Sequence, residues 1–140
     1  MLKEILSISG KPGLYKLVSQ AKNMLIVESM IDGKRIPAYS NDKVVSLGDI
    51  AIYTNTGEVK LNEVLESIRS KENGQLCSVD AKADNSKLKA YMEAILPDYD
   101  NERVYPSDIR KLIQWYNILT TNNITVFSEV ESENTHVENE

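Results

Sequence analysis

Turn-forming residues cut the first 57 positions into short apolar runs, and this pattern limits that half of the chain to short strands. Ile5-Leu6-Ser7-Ile8 and Leu14-Tyr15-Lys16-Leu17-Val18 flank Lys11-Pro12-Gly13. Proline presets φ and glycine accepts a positive φ, so this triplet predicts a type II turn. Met24 to Met30 forms the next run, and Asp32-Gly33 after it predicts a two-residue hairpin loop. The return strand is Lys34-Arg35-Ile36-Pro37-Ala38-Tyr39. Pro37 has no N–H to give a ladder, which places this strand at an edge or a bulge. Val44 to Leu47 and Ile50 to Thr54 follow, and Asn55-Thr56-Gly57 ends the series. Short strands at such close spacing predict a small barrel or a strongly bent sheet.

The period then changes from two to about 3.6. Leu61, Val64, Leu65 and Ile68 lie on one helical stripe, with Gly74 suited to a C-terminal cap. Residues 75–83 read as a connector, with a short strand at Leu76 to Val79. A second helix starts near Asn85-Ser86, carries Leu88, Tyr91, Met92 and Ile95 on one face, and stops at Pro97. Asp98 to Glu102 reads as a solvated polar loop. Pro106 or Ser107 opens the last helix, whose stripe is Ile109, Leu112, Ile113, Tyr116 and Leu119. Trp115 widens that stripe. Ile124, Val126 and Phe127 are expected to fold back on the core.

The chain has 140 residues, room for one domain or two small ones. Its net charge of −5 is unevenly placed. Residues 128–140 carry five glutamates and no base, so the rest is close to neutral. That segment is expected to be a disordered acidic tail. No apolar run reaches the ~20 residues of a membrane span, and the N-terminus lacks the pattern of a secretory signal. A single cysteine, Cys77, excludes an internal disulfide framework and agrees with the cytoplasm.

Candidate chemistry is sparse. The one histidine, His136, falls in the expected tail, where nothing would hold it in catalytic geometry. Cys77 has no histidine to activate it and reads as a small buried hydrophobe. Zinc requires more cysteine or histidine than the chain has. Asp98, Asp100 and Glu102 alternate as in a calcium loop, but the positions needing Gly and Glu hold Arg103 and Ile109. Ser9-Gly10-Lys11-Pro12-Gly13 lacks the first glycine of a phosphate loop and has proline after the lysine. These residues imply no catalytic group, no metal and no cofactor.

Two surfaces remain. Residues 1–48 hold seven bases against four acids, with tyrosines in the same region. Lys11, Tyr15, Lys16, Lys34, Arg35 and Tyr39 are therefore a candidate binding surface, since basic grooves with aromatic platforms bind single-stranded nucleic acid. Ordinary solvated lysines and core tyrosines account for the same residues. Trp115 and Tyr116 are a candidate interface for a protein partner, being types enriched at hot spots.

Three stretches carry a resemblance: Ile5 to Leu17, Lys34 to Tyr39, and Val104 to Ile113. Together they resemble an uncharacterised bacterial domain-of-unknown-function family, over roughly residues 1–127. The resemblance implies a β-rich N-terminal domain and a helical C-terminal one, and it supplies no site residues. The expectation is thus an α+β chain. A small SH3-like or strongly bent β-barrel with a closing helix spans 1–72, a helical module spans 75–127, and the acidic tail spans 128–140. The expected function is non-enzymatic binding of a protein partner, as an adaptor. The alternative is single-stranded nucleic-acid binding by the mildly basic β-half, modulated by the tail.

Overall fold

A computed structural model describes residues 4–11, 13–39 and 42–124. Pro12, Val126, Phe127, His136 and the whole expected tail, 128–140, lie outside the described residues. The internal contacts divide the chain into two units, between Ile50 and Ala51.

In the first unit, β1 (Ile5–Ile8), β2 (Tyr15–Ala21), β3 (Met24–Ser29), β4 (Arg35–Tyr39) and β5 (Val44–Ser46) form one antiparallel sheet in the order β4-β3-β2-β1-β5. A 3₁₀ turn, Leu47–Asp49, follows β5, and the Ser46 hydroxyl accepts its Gly48 N–H. The expected closed barrel does not form among the described residues. Edge strands β4 and β5 each pair on one side only, so the sheet stays open. Its inner face buries Leu6, Ile8, Tyr15, Val27 and Ala38, with Leu17, Leu25, Ile36 and Val44 packed against them.

Local chemistry explains the turns. Lys11 N–H donates to Ile8 O at 3.0 Å, and Gly10 in that turn has φ 83°. This turn precedes Lys11-Pro12-Gly13, where Gly13 takes the expected positive φ, 81°, and Pro12 lies outside the described residues. Between β3 and β4 the loop is longer than two residues. Gly33 N–H donates to Ser29 O at 2.9 Å with Gly33 at φ 76°, and Asp32 Oδ1 accepts Lys34 N–H at 3.0 Å. The two-residue loop is Lys22-Asn23, where Asn23 takes φ 64°. β2 runs on to Ala21 because Val18 is inserted as a bulge: Leu17 pairs with Val27, and Ser19 with Ile26.

The second unit begins with β6 (Ala51–Thr54) and β7 (Gly57–Lys60), a hairpin closed by Asn55-Thr56. α1 (Leu61–Glu72), α2 (Asn85–Ile95) and α3 (Pro106–Thr121) follow. The three stripes read from the sequence are the buried residues of these helices. Burying each large apolar side chain contributes roughly 1.5–3 kcal/mol. Within its unit, α1 contacts β6, β7, α2 and α3, because its stripe faces the other helical stripes. Asn73, in the left-handed region, ends α1, with Gly74 N–H on Arg69 O at 3.0 Å. Asp84 caps α2 through Lys87 N–H, and Pro106 sits in the first turn of α3 with Asp108 reaching back to Tyr105 N–H. The connector 75–83 forms no strand.

The loop after α2 keeps Asp98, Asn101 and Glu102 exposed, as expected, and also clamps the β6–β7 hairpin. Asn55 N–H donates to Asp98 O and Asp100 N–H to Tyr53 O, flanking a bridge between Thr54 and Tyr99. Asp98 accepts the Asn55 amide at 3.3 Å and the Thr56 hydroxyl at 2.9 Å. Tyr99 and Val104 are buried behind it.

Candidate functional site

The register of the first sheet decides where its candidate residues go. Alternate residues of a strand face opposite sides. Tyr15 pairs with Leu6 and takes the inner face, where it is 7% exposed. It is a core residue, not a stacking platform. Lys16, Glu28 and Arg35 stand in one row on the outer face. Two strand spacings put Lys16 and Arg35 about 10 Å apart, with Glu28 between them. Arg35 Nε lies 3.2 Å from Glu28 Oε1, so an acid occupies the middle of the expected basic patch. Lys34 sits in the preceding turn and Lys11 in the β1–β2 connection, both exposed and outside that row. The bases therefore do not converge on one groove.

Tyr39 is placed differently. It is 53% exposed at the end of β4. It borders a groove of about 330 Å³ with Gln20, Ala21, Asn23, Met24, Leu25, Ala38, Asp42 and Val44. Leu25, Ala38 and Val44 belong to the inner face, so the floor of this groove is the core itself, open at one end of the sheet. The volume lies at the lower end of the roughly 300–1,000 Å³ of ligand clefts.

The edge beside it is closed to strand addition. Arg35, Pro37 and Tyr39 turn their backbone nitrogens to the same side. Pro37 carries no N–H, and Tyr39 N–H donates to Asp42 Oδ2 at 2.8 Å. Only Arg35 could offer a donor there, a common way of blunting an edge.

The second unit ties several part-buried and exposed polar side chains into one network. Glu72 Oε2 accepts the Tyr91 hydroxyl at 2.7 Å, the Ser78 hydroxyl at 2.8 Å and Ser78 N–H at 3.0 Å. Burial raises the Glu72 pKa, but these donors and Lys71 outweigh it, and the net shift is downward. Cys77 is half-buried beside this network, with its N–H on Asn117 Oδ1 at 2.8 Å. Burial first, and the Glu72 charge after it, push the thiol pKa up. Burial and hydrogen bonding to Cys77 and Glu72 also push Tyr91 up. A neutral thiol and a carboxylate filled by three donors form a structural knot, since nucleophilic chemistry needs a thiolate.

Tyr116 is fully buried, and its hydroxyl donates to Gln75 O at 2.6 Å. It therefore leaves the candidate interface, because the α3 stripe that carries it packs inward. Trp115 is half-buried. The exposed aromatics of this unit are Tyr105 and Tyr53, the latter with the Arg103 guanidinium 4.7 Å from its ring centre and Arg103 paired to Asp100 at 3.1 Å. A second groove, about 410 Å³, runs between α1 and α2 past Glu66, Ser67, Ser70, Lys71, Ala94 and Ile95. It is more polar than the first and includes none of the candidate residues.

Residues 50–119, half of the chain, match the family model of a domain of unknown function, DUF6852. The chain belongs to the DUF6852 family. Residues 2–47 match a second domain of unknown function, DUF5606. The two matches meet where the internal contacts divide the chain, so the DUF5606 segment is the five-stranded sheet and the DUF6852 segment the helical unit. A solution NMR structure from Bacteroides vulgatus, a structural-genomics target, is similar at 59% identity and a TM-score of 0.76. The likeness covers 91% of each chain. Comparison with curated proteins returns no match. Among the described residues, no helix is long and apolar enough to cross a membrane.

Proposed function

We propose that this DUF6852 protein is a non-enzymatic adaptor that engages a protein partner through the groove beside Tyr39. The groove carries the reading. It offers an apolar floor of Leu25, Ala38 and Val44 under a half-exposed tyrosine, the arrangement that receives an anchor side chain. The order β4-β3-β2-β1-β5 supports treating the first unit as an opened SH3-like barrel, with the groove at its open end. A non-enzymatic role is supported by burial, which pushes the Cys77 thiol pKa up, and by the Glu72 carboxylate, which is engaged by Tyr91 and Ser78. A free thiol at Cys77 suits a reducing compartment, and we place the protein in the cytoplasm.

Single-stranded nucleic acid is the second reading. Exposed Lys11, Lys16, Lys34 and Tyr39 favour it, while Glu28 between Lys16 and Arg35 and the burial of Tyr15 weigh against it. A photo-crosslinking amino acid at position 39 separates the two in cells. Crosslinks to a discrete protein are expected. Crosslinks to nucleic acid would favour the second reading, and none to either would sink the groove as a site.

A further inference from the structure

We propose that Asn73-Gly74 is a self-modifying site, where the chain converts its own asparagine to isoaspartate and so loosens the connector that follows α1. The chemistry needs only these two neighbours and water. The Gly74 amide nitrogen gives its proton to hydroxide and attacks Asn73 Cγ. A C–N bond forms there, and the side-chain amide leaves as ammonia, taking a proton from water. Water then opens the five-membered imide. Opening at the former backbone carbonyl leaves the chain running through the side-chain carboxyl, with a free α-carboxylate. Nothing is oxidised or reduced. A side chain on the following residue crowds the attack, and glycine has none. Asn73 is the one asparagine of the chain that is followed by glycine. It is exposed, and the space that a Cβ of Gly74 would take has no neighbour within 4 Å.

The fold holds this reaction back. Asn73 ends α1 in the left-handed region, at φ 55° and ψ 36°. Gly74 N–H donates to Arg69 O, and Gln75 N–H to Glu72 O, each at 3.0 Å. The attacking nitrogen is thus turned back along the helix with its proton engaged, and it reacts only when this cap opens. The product cannot rebuild the cap. It lengthens the backbone by a methylene just before Gly74, and it sets a carboxylate at the negative end of α1, next in sequence to Glu72. Glu72 is the residue that holds the connector, through the hydroxyl and N–H of Ser78, and Cys77 precedes Ser78. Loosening at this point therefore uncovers the Cys77 thiol.

The test is to age the full chain at pH 8.5 and 37 °C, folded and in guanidinium chloride, and to map isoaspartate by peptide mass spectrometry. Asn73 should convert ahead of every other asparagine in both conditions, and at least about fivefold more slowly in the folded protein. The modified protein, separated by its added charge, should then react at Cys77 severalfold faster with a disulfide reagent than the unmodified protein does. Asn73→Gly is the control, since glycine keeps the left-handed turn and has no side-chain amide to lose. After the same ageing it should carry no isoaspartate at position 73 and should keep the unmodified Cys77 rate. Conversion spread evenly over the asparagines would overturn the site. Equal rates at Asn73 in the folded and unfolded chains would overturn the restraint by the cap. An unchanged Cys77 rate in the purified product would overturn the coupling to the connector. None of these outcomes bears on the groove beside Tyr39, which the crosslink at position 39 tests separately.

Discussion

The two units place their polar chemistry in opposite ways. In residues 51–124, Glu72, Tyr91, Ser78, Asn117 and the Tyr116 hydroxyl bond to one another or to backbone, at positions from exposed to buried. In residues 4–50, the inner face of the sheet is apolar, and the charged side chains of the sheet stand outside it in short, screened contacts. A hydrogen bond contributes about 0.5–1.5 kcal/mol net, so the bonds on Glu72 tie the connector and α2 to the end of α1. Exposed pairs such as Arg35–Glu28 contribute little to folding, so their residues are free to serve recognition. Chemistry-bearing residue types are thus a poor guide to the site in this molecule. The densest polar network ties the connector to the helices, and the groove beside Tyr39 is mostly apolar.

The sharpest contrast is with plain packing. Leu65 is fully buried in α1. Leu65→Ala should lower stability by about 2–5 kcal/mol through lost burial and the cavity left behind. Trp115 is the single tryptophan and belongs to the same unit, so urea unfolding followed by its fluorescence reads the change. A loss under about 1 kcal/mol would mean that α1 is not the centre of that core.

Glu72 tests the network itself. Glu72→Gln removes the charge and turns one acceptor into a donor, and should cost about 1–2 kcal/mol at neutral pH. The folded carboxyl titrates below its ordinary value, so its contribution is fully present above the unfolded pKa. It is lost as pH falls through the lowered folded pKa. Wild type and Glu72→Gln should therefore converge in stability in acid. A gap that stays constant below pH 3 would show that the charge is not what matters. Tyr91→Phe should cost about 1 kcal/mol and move the Glu72 pKa upward, which NMR titration of the carboxyl reads directly.

How much of this was legible in the sequence depends on how local each feature is. The helical stripes were fully legible. Leu61, Val64, Leu65 and Ile68 recur at helical spacing, and the same side chains are the buried ones. β7 was hidden because three of its four residues, Gly57, Glu58 and Lys60, carry no apolar signal. The end of β2 was hidden because the bulge at Val18 breaks the alternation. Tyr15 and Tyr39 are the same residue type in similar runs, yet sheet register buries one and exposes the other. Glu72 reaches partners 6 and 19 positions away, and nothing in the spacing of Ser78 and Tyr91 marks that meeting. The groove is less legible still, since its floor comes from three strands.

Cys77 sharpens the comparison by rate rather than stability. Burial, with Glu72 nearby, keeps its thiol protonated, and the side chain is only half-exposed to reagent. At pH 8 the folded protein should react with a disulfide reagent at least tenfold more slowly than the urea-unfolded chain. Equal rates would show that the knot does not hold the connector closed.

The smallest expected effects lie at exposed positions of β4. Arg35→Ala removes an ion pair whose side chains are 64% and 38% exposed, and Tyr39→Ala removes a half-exposed ring. Each should change stability by less than about 0.5 kcal/mol. Their effects on binding should then differ. Tyr39 borders the groove, so its loss should weaken capture of the proposed protein partner severalfold or more. Arg35 lies outside the lining residues, and its loss should leave that capture within a factor of two. If Arg35→Ala were the more damaging change, recognition would follow the Lys16–Glu28–Arg35 row, and the sheet's outer face would replace its open end as the working surface.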